Sequence, residues 1–352
     1  MENKRIIYFD YLRVFAILAV IFIHVAGQNW YDSDIKSFEW NIFNIFDSAV
    51  RWAVPVFVMI SGALFLSKNI DIKRIYSKNI LRMLIVYFVW SALYAFIMPF
   101  LNNTADAMTY KTIIENVIKG SYHMWFIPMI IGLYICTPII KQIVESKNVT
   151  KYFLTVSFVF AFLWPQLFNM CDMFIGGRFT AGIYSIDEVI KNMNMDIVLG
   201  FSFYFILGYF IANIDLTKKQ RTVVYVLGIL GFISTVLLTM VSSWKLNEPF
   251  IKYYSEFNIN VLFEAIAVFV WFKYRKCEND RINKFILKLS KYSFGVYLVH
   301  VFIIELLKYL GLNTLSFNPI ISVPLISLIT VIISNLISLI LNKIPKVNKW
   351  IV

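Results

Sequence analysis

The sequence predicts an all-α, polytopic integral membrane protein with about ten transmembrane helices and both termini cytoplasmic. Three observations predict it. Hydrophobic residues fill 59% of the 352 positions and charged ones only 15%, with a mean hydropathy of +0.70, whereas a soluble domain of this length needs a far more polar surface. The apolar residues fall into repeated runs of about twenty, the length at which a helix crosses a ~30 Å hydrocarbon core. Lys and Arg gather in alternate loops, as they do where basic loops are held on the cytoplasmic side.

Taken in order, the apolar runs cover about 6–28, 42–66, 79–100, 124–142, 152–170, 196–213, 222–243, 257–274, 285–308 and 317–342. The first is too long, and too polar at its start, for a cleaved signal peptide, and no small-residue cleavage site follows it. Pro55, Pro128, Pro138 and Pro165 fall inside or near the ends of runs, which membrane helices tolerate better than soluble ones. The stretch MISGALF at 59–65 supplies small residues that let helices approach closely. No loop is long enough for a soluble domain and no tandem repeat stands out, so residues 1–352 read as a single membrane-embedded domain.

Charge fixes the expected topology. With the N-terminus inside, 23 of the 33 basic residues fall in inner segments, 8 in outer ones and two, Arg13 and Arg51, within helices. The inner set begins with Lys4, Arg5, Lys68, Lys73, Arg74, Lys78 and Arg82 and includes a dense run from Lys273 to Lys291. The net charge of +12 is thus a topology signal that faces lipid headgroups, and no nucleic-acid partner is read from it. Cys136, Cys171 and Cys277 show neither metal spacing nor a paired framework.

An ionisable residue in the middle of a membrane helix costs ~2.5–3.5 kcal/mol on insertion scales, so it needs a partner, a wet cavity or a task. On the first run these are Asp10, Arg13 and His24. Eleven residues separate Arg13 from His24, about three turns plus ~20° and a rise of roughly 16 Å, so both share one face. Asp10 precedes Arg13 by three and lies within reach of its guanidinium. One face therefore presents a cation near the cytoplasm and a base near the outer side, a layout suited to an elongated anionic substrate. Asp47 and Arg51, four apart, read equally as a structural ion pair or a functional one. The chain has three histidines. His24 and His300 lie within runs, where a core histidine bonded between helices is the plainer alternative to a functional one. His123 sits at the expected outer interface beside Trp125, a position an aromatic belt explains. Glu264 lies within the eighth run, and Glu305 follows His300 by five in the ninth. The three histidines come from distant segments without ligand spacing, so no metal site is assigned.

Five stretches resemble one known family, in the right order along the chain. They are FDYLRVFAILAVIFIHV, SAVRWAVPVFVMISGALFL, IKRIYSKNILRMLIVY, YHMWFIPMIIGLYICTPII and SKYSFGVYLVH. Together they are similar to membrane-bound acyltransferase family 3, whose opening helix carries an Arg, ten residues, then a His. Within it the chain looks closest to the short members that O-acetylate bacterial surface polysaccharides, such as enterobacterial common antigen. The resemblance implies a multi-pass protein of the bacterial cytoplasmic membrane and ten helices. It also implies acetyl-CoA or another acyl-CoA as cytoplasmic donor substrate, with no bound cofactor. The acceptor would be a hydroxyl of a surface polysaccharide, a lipid-linked glycan or a small molecule at the outer face. Carried over, His24 is the catalytic histidine and Arg13 its partner, while Arg51, Arg74 and Arg82 match basic positions that hold donor phosphates. Asp10, His123 and His300 are expected in support. Lys73 stands where many members carry a second Arg, which puts bidentate phosphate binding there in doubt. No fused extracytoplasmic hydrolase-like domain is expected, so the membrane body itself would acylate the acceptor.

Two other classes fit intramembrane charges. A transporter or flippase for a lipid-linked sugar or polysaccharide precursor is one, though no inverted repeat or pair of broken helices is visible. The other is a sensor or assembly subunit whose polar residues lock helices together. Consumption of acyl-CoA separates an enzyme from both.

Overall fold

The computed structural model describes residues 5–68, 71–175, 178–193, 195 and 200–352, and among these it contains helices and no strand. In chain order the helices are α1 (Tyr8–Ala26), α2 (Phe38–Ser48), α3 (Ala53–Leu66), α4 (Ile72–Arg74), α5 (Leu81–Leu101), α6 (Tyr110–Lys119), α7 (Phe126–Glu145) and α8 (Lys147–Ser157). Then come α9 (Trp164–Phe174), α10 (Arg178–Asn192), α11 (Ser202–Ala212), α12 (Lys218–Leu246), α13 (Ile259–Tyr274), α14 (Asp280–Tyr309), α15 (Pro319–Lys343) and α16 (Pro345–Trp350). The all-α, polytopic class predicted by the sequence is the class observed.

Among the described residues, nine helical segments are long and apolar enough to cross a membrane. They match nine of the ten predicted runs. The remaining run, 196–213, is represented by the shorter apolar helix Ser202–Ala212; its residues 196–199 lie outside the described residues, as does Lys4 of the basic count. Two spans are locally irregular for legible reasons. The second breaks into α2 and α3 across residues 49–52, where Trp52 Nε1 donates to the Ala49 carbonyl at 2.8 Å and satisfies a group the break exposes. Pro55 then falls in the first turn of α3, where a missing N–H costs nothing. The fifth span widens into a π-helical stretch at Phe158–Leu163 just before Pro165. The widening keeps the Pro165 ring clear of the Ala161 carbonyl, which has no proline N–H to receive.

The chain divides into two compact units. The first comprises Met1–Ala53, Asn69–Cys136 and Arg275–Val352, and the second Val54–Lys68 and Thr137–Tyr274. In the first, α1 packs against α14 and α15, α14 against α15, and α5 against the short amphipathic α6. A Thr109–Thr112 capping box starts α6, and Gly120 ends it at φ 71°. A side chain at Gly120 would also press on the Tyr87 hydroxyl at 2.9 Å. In the second unit α12 pairs with α13, and the small residues of 59–65 allow a close crossing of α3 with α11. A Cβ on Gly62 would fall on the Phe205 carbonyl, and one on Gly208 on the backbone of Met59. Such reciprocal small-residue contact is how membrane helices gain packing without a hydrophobic driving force.

Candidate functional site

All the site residues expected from the sequence lie in the first unit, with Asp10, Arg13 and His24 on α1 and His300 on α14. The two helices run parallel, because contacts join them in the same order at both ends. Near their N-termini, Asp10 is buried, and its carboxylate accepts from Arg5 Nε at 2.9 Å, Arg5 Nη2 at 2.6 Å and the Ser290 hydroxyl at 2.7 Å. A buried carboxylate persists only with such compensation. Donating to the Asp10 carboxylate also holds the Arg5 guanidinium above its ordinary pKa. Arg13 is the looser neighbour: its Nη1 lies 3.9 Å from Asp10, beyond hydrogen-bond reach, with the side chain 37% exposed. The expected i,i+3 proximity is therefore present, but Asp10 bonds to Arg5 and Ser290 and leaves the fork of Arg13 available for another anion.

Toward the C-terminal ends of the same helices the three histidines converge. The ring of His24 lies 5.2 Å from that of His300 and 6.4 Å from that of His123, and His123 lies 5.2 Å from His300. His123 and His300 are 2% and 0% exposed, whereas His24 is the least buried of the three. His300 Nδ1 lies 2.7 Å from the Tyr297 carbonyl. A carbonyl can only accept, so Nδ1 carries the proton and a neutral His300 has a bare Nε2. That Nε2, like Nε2 of His123, is buried without a protein partner. His123 Nδ1 faces the Ser121 hydroxyl at 3.2 Å.

Tyrosines frame the cluster. Tyr94 lies 4.9 Å from the His123 ring, Tyr122 5.4 Å from His24 and Tyr297 5.7 Å from His123. The Tyr297 hydroxyl donates to the His123 backbone carbonyl at 2.8 Å, tying the turn before α7 to α14. The Tyr94 hydroxyl donates to the Leu298 carbonyl at 2.8 Å and accepts from the Phe302 N–H at 3.2 Å. An uninterrupted α-helix would pair those two groups with each other. The hydroxyl thus inserts into the ladder of α14 in the very turn that holds His300, an insertion of the kind that bends helices.

The remaining basic residues separate. Arg51 lies in the break between α2 and α3, where it forms an ion pair with buried Asp47, and it is among the charges whose field reaches His24. Arg74 is exposed at the end of α4. Arg82, near the start of α5, donates from Nη2 to the Val352 backbone oxygen at 2.7 Å, its guanidinium 6.0 Å from the centre of the Phe294 ring. An incoming phosphate would use its remaining donors or displace that contact. Among the described residues, no group of three or more His, Cys, Asp or Glu is arranged to hold a metal ion.

Sequence reasoning placed Arg13 and His24 on one helix face from their spacing. It passed over Arg5, Ser290, Tyr94, Tyr122 and Tyr297, which join the site through tertiary contact. For Tyr122 a signal was present, since it directly precedes His123 at the turn into α7. The family model for acyltransferase 3, described as an acyltransferase domain, matches residues 6–339. No curated protein and no solved structure matches the chain.

Proposed function

The chain belongs to the acyltransferase 3 family, so it is a membrane acyltransferase, and from that premise we propose an acyl-CoA-dependent O-acyltransferase. In this reading an acyl group, acetyl for preference, passes from a donor on the cytoplasmic side to a hydroxyl of a cell-surface or lipid-linked glycan. The finer likeness to the short O-acetyltransferases of surface polysaccharides, such as enterobacterial common antigen, belongs to the same proposal. So does a place in the bacterial cytoplasmic membrane.

The observation that carries it is the pairing, along α1, of an accessible guanidinium with the least buried of the three imidazoles. Arg13 and His24 are about 16 Å apart by helical rise, a span comparable to an extended pantetheine arm. Donor phosphates dock at the Arg13 end, with Arg74 and Arg82 as further cations, and the thioester lies beside His24. His24 takes the proton from the acceptor hydroxyl as general base, a role suited to imidazole. The hydroxyl oxygen attacks the thioester carbonyl, the carbon–sulfur bond breaks, and CoA leaves as a thiolate that recovers the proton. The two-step course, in which His24 itself is first acylated and the acceptor then attacks, uses the same residues. His300, with its tautomer set by the Tyr297 carbonyl, offers a bare Nε2 to receive a hydrogen bond within the cluster. Arg51 would supply positive field near His24 rather than grip a phosphate.

The test is CoA thiol release from acetyl-CoA by membranes containing the protein, wild type against His24→Ala, with lipid-linked and surface glycans as acceptors. Acceptor-stimulated release lost in the variant supports the reading. No release above background, with acetyl-CoA and succinyl-CoA alike, overturns it and favours movement of a lipid-linked sugar instead.

A further inference from the structure

A cavity of about 260 Å³ opens beside the histidine cluster, at the C-terminal ends of α5 and α14 and the junction between α6 and α7. Tyr94, Tyr122 and Ser121 line it. All three also border the imidazoles: Tyr94 and Tyr122 by ring contact with His123 and His24, and Ser121 through its hydroxyl at His123 Nδ1. A molecule seated there is thus one side chain away from the candidate base. The volume falls just below the ~300 Å³ at which drug-sized ligand sites begin. It is room for one small polar ring, not for a folded oligosaccharide.

The lining selects by chemistry. Asn102, Asn116 and Thr104 contribute amide and hydroxyl groups, and Glu305 contributes a carboxylate. Among the described residues, no Lys, Arg or His lines the cavity. No described residue donates a hydrogen bond to Glu305, whose field reaches the hydroxyls of Tyr94 and Tyr122. The cation whose field reaches it is Lys308, one turn further along α14 and exposed. A carboxylate among neutral amides accepts from hydroxyl donors and repels anions. Tyr122, more than half exposed at the rim, adds an aromatic surface on which the apolar edge of a sugar ring can rest.

We propose that this cavity is the acceptor-binding site, and that Glu305 makes it specific for an uncharged, hydroxyl-bearing sugar ring while rejecting carboxylated or phosphorylated ones. The proposal rests on the acyltransferase reading above. It adds the substrate class and a specificity-determining residue.

The test separates the two. Binding of methyl glucoside and of methyl glucuronide to the detergent-solubilised full chain is followed by saturation-transfer NMR, in wild type, Glu305→Gln, Glu305→Lys and His24→Ala. Wild type should bind the glucoside at least about tenfold more tightly than the glucuronide. Glu305→Gln should weaken glucoside binding about tenfold, as loss of a charge-assisted hydrogen bond does, and Glu305→Lys should turn the preference toward the glucuronide. His24→Ala should bind as wild type does. Binding of neither sugar, equal binding of both, or an unchanged preference in both Glu305 variants overturns the site. His24-dependent CoA release from acetyl-CoA in the presence of methyl glucoside is measured alongside, wild type against His24→Ala. Its absence from wild type, with sugar selectivity intact, would sink the enzymatic reading and leave the binding site standing.

Discussion

In the second helical unit the long buried polar side chains end on one another. Gln166 Nε2 donates to Asn260 Oδ1 at 3.4 Å, Asn260 Nδ2 donates to the Thr235 hydroxyl at 2.8 Å, and that hydroxyl lies 2.7 Å from Glu264 Oε1. Asn260 also donates to the Tyr253 carbonyl at 2.9 Å, and Gln166 Oε1 accepts the Ile259 N–H at 2.6 Å. In the first unit, by contrast, the buried imidazoles of His123 and His300 have one nitrogen anchored and the other without a protein partner. Both units bury polar groups among apolar helices, yet in the second the side chains Gln166, Asn260, Thr235 and Glu264 are linked to one another, whereas in the first two imidazole nitrogens stop short of a protein partner. Linked side chains hold helices in register; bare imidazole nitrogens are proton acceptors that a substrate can use.

The comparison can be broken or sharpened by four substitutions. The largest effect should come from His24→Ala, which should lower acyl transfer by about 10²–10⁴-fold, the span of a lost general base, with thermal stability close to wild type. Acceptor turnover within threefold of wild type would show that the histidine cluster is merely structural. Next, Asn260→Ala, which cuts the linked amides and hydroxyl of the second unit, should cost about 1–2 kcal/mol of stability. It should leave turnover per folded molecule unchanged, as read by thermal denaturation and by activity normalised to folded protein. Selective loss of turnover there would erase the distinction between the units. Arg13→Lys should raise the KM for the acyl-CoA donor about tenfold with kcat less affected, since an ammonium cannot reproduce the guanidinium fork. An unchanged donor KM would remove Arg13 from phosphate binding. The smallest effect should come from Tyr94→Phe, which lets Leu298 and Phe302 pair directly. A two- to threefold fall in kcat, about 0.5 kcal/mol of barrier, with little change in melting temperature is expected. A large drop in melting temperature would make Tyr94 a structural brace only.

What the sequence made legible follows from the range of the forces involved. Bilayer thickness acts on contiguous residues, so the long apolar runs could be drawn from composition alone, and helical periodicity aligned Arg13 with His24. The convergence of His24, His123 and His300 depends on packing between segments nearly 300 residues apart in sequence, which no local pattern encodes. Two short amphipathic helices, α6 and α10, fall outside the ten apolar runs because each is less than a membrane span in length. The Asp10 carboxylate shows the limit at close range. Helical spacing correctly put Arg13 near it, but Arg5, lying before the first helical residue, is free of the helical lattice and reaches the bidentate geometry that Arg13 does not.

The Tyr94 hydroxyl has a consequence for how such a protein can be redesigned. Its ring forms part of the cavity wall, while its oxygen occupies a place in the ladder of α14 beside His300. Changing this wall to admit a different sugar therefore also changes the turn that carries a candidate catalytic imidazole. Glu305, Asn102 and Asn116 line the same cavity without that second attachment. Engineering of acceptor choice has those three as its adjustable positions, and Tyr94 as the one where selectivity and turnover move together.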